Sequence, residues 1–335
     1  MMIATSLPTP KFPLPTLTDI EAAADRIDGR AVKTPLLESR ALSDKLGLRL
    51  LIKAEVLQRT GSFKFRGAFN RLAAMSDTER AAGVVAYSSG NHAQGVAQAA
   101  RIFGVDAVIA MPGDAPDVKV RNVEADGATI IRFDRFKDDR DAVARPYIEA
   151  GRTLVPPYED PYIMAGQGTI GLEIVTQANA LDAVPEIVIA PCGGGGLTSG
   201  IAIAVKALSP ATAVWAAEPE HFDDTRRSLE AGRRLRNAGG HTSICDAILT
   251  PEPGVATFAV NRQALAGGAA VTDAETRAAM RMAADYFKLV VEPGGAVALA
   301  AVLSGKLDAK GKTIVVVLSG GNVDPELYSR IIAER

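Results

Sequence analysis

Seven short runs of β-branched and small apolar residues divide the chain: LLIK at 50–53, VVAY at 84–87, AVIAM at 107–111, ATIIRF at 128–133, EIVIA at 186–190, AVWAA at 213–217 and TIVVVL at 313–318. Between them lie longer runs of helical periodicity, among them HAQGVAQAARIF and DDRDAVARPYIEA. Strands that read as nearly continuous apolar runs are buried on both faces, and a helix between successive strands supplies the crossover that parallel pairing needs. The alternation therefore confines the chain to the α/β class, with parallel sheets covered by helices on both sides.

A chain of 335 residues with 47% hydrophobic content can bury a large core, and its length suits two globular lobes, although no repeat or long linker marks a boundary. The net charge of −2 and the lack of a basic tract exclude a nucleic-acid surface or an electrostatic membrane anchor and leave small molecules as the expected partners. Cys192 and Cys245 fit neither metal spacing nor a disulfide framework, so a reducing, cytoplasmic compartment is expected. The N-terminal MMIATSLPTPKFPLPTL has prolines where a secretory signal needs an apolar run, and it reads as a loose arm without an export signal. The charge-free stretch 187–205 approaches the length that spans a bilayer, but Pro191 and four consecutive glycines break it into strand, loop and helix.

The chemistry gathers in four segments. In EVLQRTGSFKFRGA, Lys64 stands at a predicted helix start behind Gly61, Ser62 and the flat apolar wall of Phe63. A lysine that forms an imine needs such a partly dry, shaped site, because a solvated ammonium is a poor nucleophile; a snorkelling surface lysine is the alternative. Downstream come SSGNHAQG at 88–95, PCGGGGLTSG with Gly193, Gly194, Gly195 and Gly196, and LSGGNVD with Ser319 and Asn322. The glycine run follows a predicted strand and precedes the helix LTSGIAIAVKAL, so backbone N–H groups and a helix dipole can converge on a phosphate; the alternative is a flexible loop. It matches neither the dinucleotide nor the Walker pattern. Glu218 and Asp224 stand six residues apart after another strand, and two carboxylates with a main-chain carbonyl begin a hard-cation site, or else form a solvated acidic loop.

In this order, over almost the whole chain, these segments resemble the fold-type II family of pyridoxal-phosphate enzymes, in its serine/threonine dehydratase and serine racemase branch. The resemblance implies two parallel-sheet lobes, a small one at 83–161 inserted into a larger one formed by 1–82 plus 162–335, with pyridoxal phosphate in the cleft between them. It implies that Lys64 carries the cofactor as a Schiff base and serves as general base. Gly193 to Gly196 would hold the phosphate, Ser319 would face the ring nitrogen, Asn91 the phenolate oxygen, and Phe63 one ring face. Read from the residues alone, Asn91 is also a plausible helix N-cap, Phe63 a core residue and Ser319 an ordinary strand-end serine. A neutral hydroxyl at 319 cannot hold the ring nitrogen protonated as a carboxylate would, and the weaker electron sink favours elimination over transamination.

The same resemblance assigns the substrate carboxylate to the loop Ser88, Ser89, Gly90, Asn91 and His92, assisted by Ser62. Ser89 also matches the acid/base serine on the ring face opposite the lysine in serine racemase. His92 is taken as shaping the loop rather than moving protons, and Arg66 as structural. Glu218, the carbonyl of Phe222 and Asp224 correspond to a Mg²⁺ or Ca²⁺ site, with His221 incidental. The expected activity is a PLP-dependent dehydratase (ammonia-lyase) converting L-threonine or L-serine to 2-oxobutanoate or pyruvate and ammonia. A serine racemase with side dehydratase activity and a 3-hydroxyaspartate dehydratase are the alternatives. A catalytically silent binding protein is a different class, against which Lys64, Ser319 and the glycine run speak. Cys245-Asp246-Ala247 and the Gly294-Gly295 pair beside Glu292 depart from or vary within the family and are expected to border the substrate side chain. With thirteen residues after Asn322, no C-terminal regulatory domain is expected, and the family suggests a homodimer.

Overall fold

The run TIVVVL becomes β10 (Thr313–Leu318), and it lies between β2 (Arg49–Ala54) and β7 (Ile187–Pro191) in the middle of a six-stranded sheet, parallel to both. The computed structural model describes residues 8–88, 90–115, 117–134 and 137–334. Burial on both faces explains the composition of β10. Ile314, Val316 and Leu318 join a core beneath the Asp273–Phe287 and Pro293–Leu303 helices, while Val315 and Val317 face Ile170, Ile174, Ile201 and Val205 of the Pro161–Ala180 and Gly196–Leu208 helices. Each such side chain contributes about 1.5–3 kcal/mol on burial, so no polar face is tolerated.

The sheet order is β1-β2-β10-β7-β8-β9, completed by β1 (Leu36–Glu38), β8 (Ala213–Pro219) and β9 (Leu265–Val271). A four-stranded parallel sheet, order β5-β4-β3-β6, is built from β3 (Val84–Tyr87), β4 (Ala107–Pro112), β5 (Thr129–Phe133) and β6 (Thr153–Leu154). All seven expected strands are present, with Ala128 just outside β5 and Glu186 just outside β7. Three further strands carry no β-branched run, and β1 pairs antiparallel with β2 at the sheet edge rather than parallel. Among the described residues no helix is long and apolar enough to cross a membrane.

The helix Lys64–Ala73 links the two sheets. Phe65, Phe69 and Leu72 pack with Val96 and Ala100 of the Asn91–Phe103 helix and with Val84, Ala86 and Ile109 of the smaller sheet. On its other side Arg66 is fully buried, bidentate to Glu55 at 2.8 Å from Nε and Nη2, and bonded through Nη1 to Glu173 at 2.6 Å. Lys53 of β2, also fully buried, donates to Glu173 at 2.5 Å, to the Thr34 carbonyl at 2.6 Å and to Gln177 at 2.9 Å. Two cations and two anions, of which only Glu173 is partly exposed, neutralise one another, which is how the three buried charges become tolerable. The network joins β2, the turn after it, the lysine helix and the Pro161–Ala180 helix, in keeping with a structural part for Arg66.

Candidate active site

The lysine motif and the end of β10 are joined through their backbones. Ser62 forms an antiparallel bridge with Gly320, and the Phe63 N–H donates to the Ser319 carbonyl at 3.0 Å. Lys64 opens its helix directly behind Phe63. Its half-buried amine donates to the carbonyl of Pro157 at 2.7 Å and lies 5.2 Å from the centroid of the Phe63 ring. Burial pushes the Lys64 ammonium down to about 8, and the Glu292 carboxyl pulls the other way. An amine so placed is neutral often enough near pH 7 to act as nucleophile or proton acceptor.

A cavity of about 590 Å³ opens at that amine. Its wall is formed by Phe63 and Lys64, by Ser88, Gly90, Asn91 and His92, by the glycines 193–196, and by Ser319. Ser62 is fully buried and does not line it, and its Oγ has no hydrogen-bond partner among the described residues. Ser89 lies outside the described residues. The Ser88 Oγ accepts from the Gly90 N–H at 3.1 Å. Gly90, not Asn91, is the N-cap of the following helix, so the capping alternative for Asn91 is set aside: Asn91 is its first helical residue, and its side chain points to other partners.

His92 is buried, and its Nε2–H donates to the Val155 carbonyl at 2.8 Å. Burial, with the Lys64 charge adding to it, pushes the imidazole down to about 3, so it stays neutral at physiological pH and cannot serve as a proton-donating imidazolium. Asn91 Nδ2 donates to Glu292 Oε1 at 2.5 Å, and Asn91 Oδ1 accepts from Asn322 Nδ2 at 2.8 Å. Burial pushes Glu292 up to about 7, opposed by the Lys119 cation, raised further by Asp246, and opposed again by the Asn91 bond and Lys64. Lys119, itself buried, pairs with Asp246 at 3.1 Å across the cavity's rim.

The glycine run ends in the Gly196–Leu208 helix, with Gly195 as N-cap at φ +93°, a conformation that a β-carbon disfavours. A Cβ on Gly194 would fall 2.3 Å from the Tyr158 ring. The first N–H groups of this helix have no partner within it, and they belong to residues that line the cavity. An anion placed there meets unpaired donors and the positive end of a helix dipole.

Glu218, Phe222 and Asp224 stand elsewhere, at the end of β8 and the start of the Asp224–Ala231 helix, and do not line the cavity. Glu218 accepts from the Thr225 and Arg226 N–H groups, both at 2.8 Å. Asp224 Oδ1 accepts from Asn237 at 2.6 Å, whereas Oδ2 has no partner among the described residues. Both carboxyls are fully buried, and burial pushes Glu218 well up and Asp224 to about 7, so the solvated-loop alternative is excluded for these two side chains.

Residues 27–320 match the family model described as "Pyridoxal-phosphate dependent enzyme". The chain is 42% identical to an L-threo-3-hydroxyaspartate ammonia-lyase of Pseudomonas sp over 315 residues, 94% of this chain and 97% of that one. Among solved structures it is similar to a threonine deaminase of T.th. (TM-score 0.86, 46% identity, 92% of this chain and 99% of that chain) and to maize serine racemase (TM-score 0.89, 35% identity, 95% and 97%). The chain belongs to the fold-type II family of pyridoxal-phosphate-dependent enzymes. Its cavity fits the family's cofactor: an amine tuned toward neutrality, a glycine cradle at a helix N-terminus and a neutral hydroxyl at the end of β10 stand on one wall.

Three cavity residues escaped the sequence reading of this family member. Tyr158, Lys119 and the carbonyl of Pro157 have no local pattern, since their partners lie far away in the chain. Glu292 did leave a signal, because a carboxylate in the apolar stretch VVEPGGA must find buried polar partners.

Proposed function

We propose that this pyridoxal-phosphate-dependent ammonia-lyase acts on L-threonine and L-serine, releasing 2-oxobutanoate or pyruvate together with ammonia. The observation that carries the reading is Lys64, an amine tuned to about 8 on the wall of the cavity that also holds the Ser319 hydroxyl and the glycine run. Pyridoxal phosphate, when bound, supplies an electron sink conjugated to the substrate's α-carbon. Lys64 Nζ would hold the cofactor through its aldehyde, and the free amine would take the Cα proton of the substrate. The N–H groups of Gly193 to Gly196 would hold its phosphate, Phe63 would cover one ring face, the Ser319 hydroxyl would meet the ring nitrogen, and Asn91 would meet the phenolate oxygen. Ser88, Ser89, Gly90, Asn91 and His92 are assigned the substrate carboxylate, with His92 fixing the loop's shape through Val155, whereas Ser62, buried off the cavity, is left out of that role. Ser89 is assigned the opposite ring face, where a proton donor would permit racemisation.

A substrate without a second charge suits this cavity, where the described lining carboxyls Asp138, Asp139, Asp246 and Glu292 outnumber the ammonium groups of Lys64 and Lys119. A second reading, 3-hydroxyaspartate, is favoured by Lys119, whose Nζ stands 3.4 Å from where a Cβ on Gly90 would lie and could exchange Asp246 for a β-carboxylate. A panel of threonine, serine and 3-hydroxyaspartate, read by 2-oxo-acid formation, decides between them. Lys64→Ala should lower turnover of the preferred substrate by at least about 10²–10⁴-fold and remove the visible band of the bound cofactor. Parental turnover in that variant would end the reading.

We assign residues 83–161 to the small lobe and 1–82 plus 162–335 to the large one, a division supported by the membership of the two sheets. The Glu218 and Asp224 carboxylates with the Phe222 carbonyl are proposed to hold Mg²⁺ or Ca²⁺, supported by the unpartnered Asp224 Oδ2. Unchanged melting and turnover after exhaustive chelation would remove that site. A cytoplasmic homodimer completes the proposal.

A further inference from the structure

Asn91 is held from both ends of its carboxamide. Asn322 Nδ2 donates to Asn91 Oδ1 at 2.8 Å and to the Thr60 carbonyl at 2.7 Å, so both of its hydrogens are committed. The Thr60 carbonyl can only accept, which fixes which end of Asn322 is the nitrogen. On the other side, Asn91 Nδ2 gives one hydrogen to Glu292 Oε1 at 2.5 Å. Glu292 faces Lys64, Lys119 and Asp246, and its Oε1 remains an acceptor whether or not a proton resides on Oε2. Turning the Asn91 amide over would set its carbonyl against Glu292 and its N–H groups against those of Asn322. Two like-against-like contacts in a buried place forfeit two hydrogen bonds at once. One hydrogen on Asn91 Nδ2 is left, on a side chain that lines the cavity.

We propose that Asn322 and Glu292 are positioning residues that lock the Asn91 carboxamide with its N–H toward the cavity, so that the cofactor's phenolate oxygen meets a donor and never the amide oxygen. The inference rests on the assignment of Asn91 to that phenolate. The chain thereby uses the far end of β10, where Asn322 lies four residues beyond Leu318, to set the polarity of a side chain at the start of the Asn91–Phe103 helix.

The test is a double-mutant cycle on the holoenzyme with Asn91→Ala, Asn322→Ala and the pair. The readouts are the pH at which the visible band of bound pyridoxal phosphate titrates and the cofactor's dissociation constant. A phenolate that loses a donor becomes more basic, so both single variants should raise the titration pH and weaken cofactor binding about tenfold. The pair should match Asn91→Ala alone. If Asn322→Ala leaves the titration at the parental pH while Asn91→Ala moves it, the positioning role is overturned and the Asn91 assignment stands. Additive effects overturn it equally. A silent Asn91→Ala removes the phenolate assignment and the inference with it. Should Asn322→Ala not fold, Asn322→Asp keeps the shape but presents an acceptor where a donor stood, and must raise the titration pH in turn; an unchanged titration there overturns the proposal. Glu292→Gln retains an acceptor for Asn91 and should bind cofactor more tightly than Glu292→Ala, and equal losses would remove Glu292 from the lock.

Discussion

Two opposing fields meet at Lys64. Burial drives its proton off and the Glu292 carboxyl retains it, with the balance near 8. A lysine that titrates there is about one-tenth neutral at pH 7, against roughly one in 3,000 for an ordinary lysine. Because the neutral amine is the nucleophile, cofactor-free protein should capture pyridoxal phosphate at a rate that climbs about tenfold per pH unit up to about pH 8 and is level above it. Stopped-flow absorbance across pH 6 to 10 measures this, and a rate still climbing at pH 10 would place the amine in ordinary solvent. The residues of this site that were readable from sequence share one property: each lies in a contiguous segment whose local geometry requires it. Lys64 follows a Gly-Ser turn, the glycines follow a strand, and Ser319 ends one. Tyr158 and Lys119 were not readable because their meaning arises only where 158 meets 194, and 119 meets 246.

The Lys64–Ala73 helix is anchored by buried charge through Arg66. Arg66→Ala leaves Glu55 fully buried with only Lys53 nearby as a compensating cation, and breaking a buried pair in this way costs about 3–5 kcal/mol. A corresponding drop in the denaturant midpoint is expected, with turnover surviving at low temperature in whatever fraction stays folded. A stability within about 0.5 kcal/mol of the parent, the usual scale for surface changes, would mean that the network is dispensable. The strands β2, β7, β8 and β10 were legible because burial on both faces demands uninterrupted apolar residues. The strand β9 was not, since its LAGGAAV trades β propensity for clearance: a Cβ on Gly267 would lie 2.8 Å from the Trp215 ring on β8. β1 and β6, at three and two residues, are too short for any periodicity to register.

The two sheets meet across the cavity, and the Lys119 and Asp246 side chains form the ion pair that bridges its rim. Asp246 is half-exposed, so the pair is worth on the order of 1 kcal/mol. Asp246→Asn should raise KM about fivefold, by breaking the pair at the cavity, while kcat changes little; steady-state kinetics on the preferred substrate separate the two, and a loss confined to kcat would show that the pair acts on chemistry instead. The order in which the strands are synthesised bears on how the molecule is made. All four strands of the smaller sheet emerge consecutively between residues 84 and 154 and can pair as soon as they leave the ribosome. The larger sheet cannot, because β10 fits between β2 and β7 and begins at Thr313, roughly 260 residues after β2 ends at Ala54. At about 5–20 residues per second, β2 waits on the order of tens of seconds with one edge and its apolar faces uncovered. The nascent chain therefore carries an open slot in its larger sheet until residues 313–318 have been made, and its exposure to chaperones and to aggregation is set by the arrival of that strand.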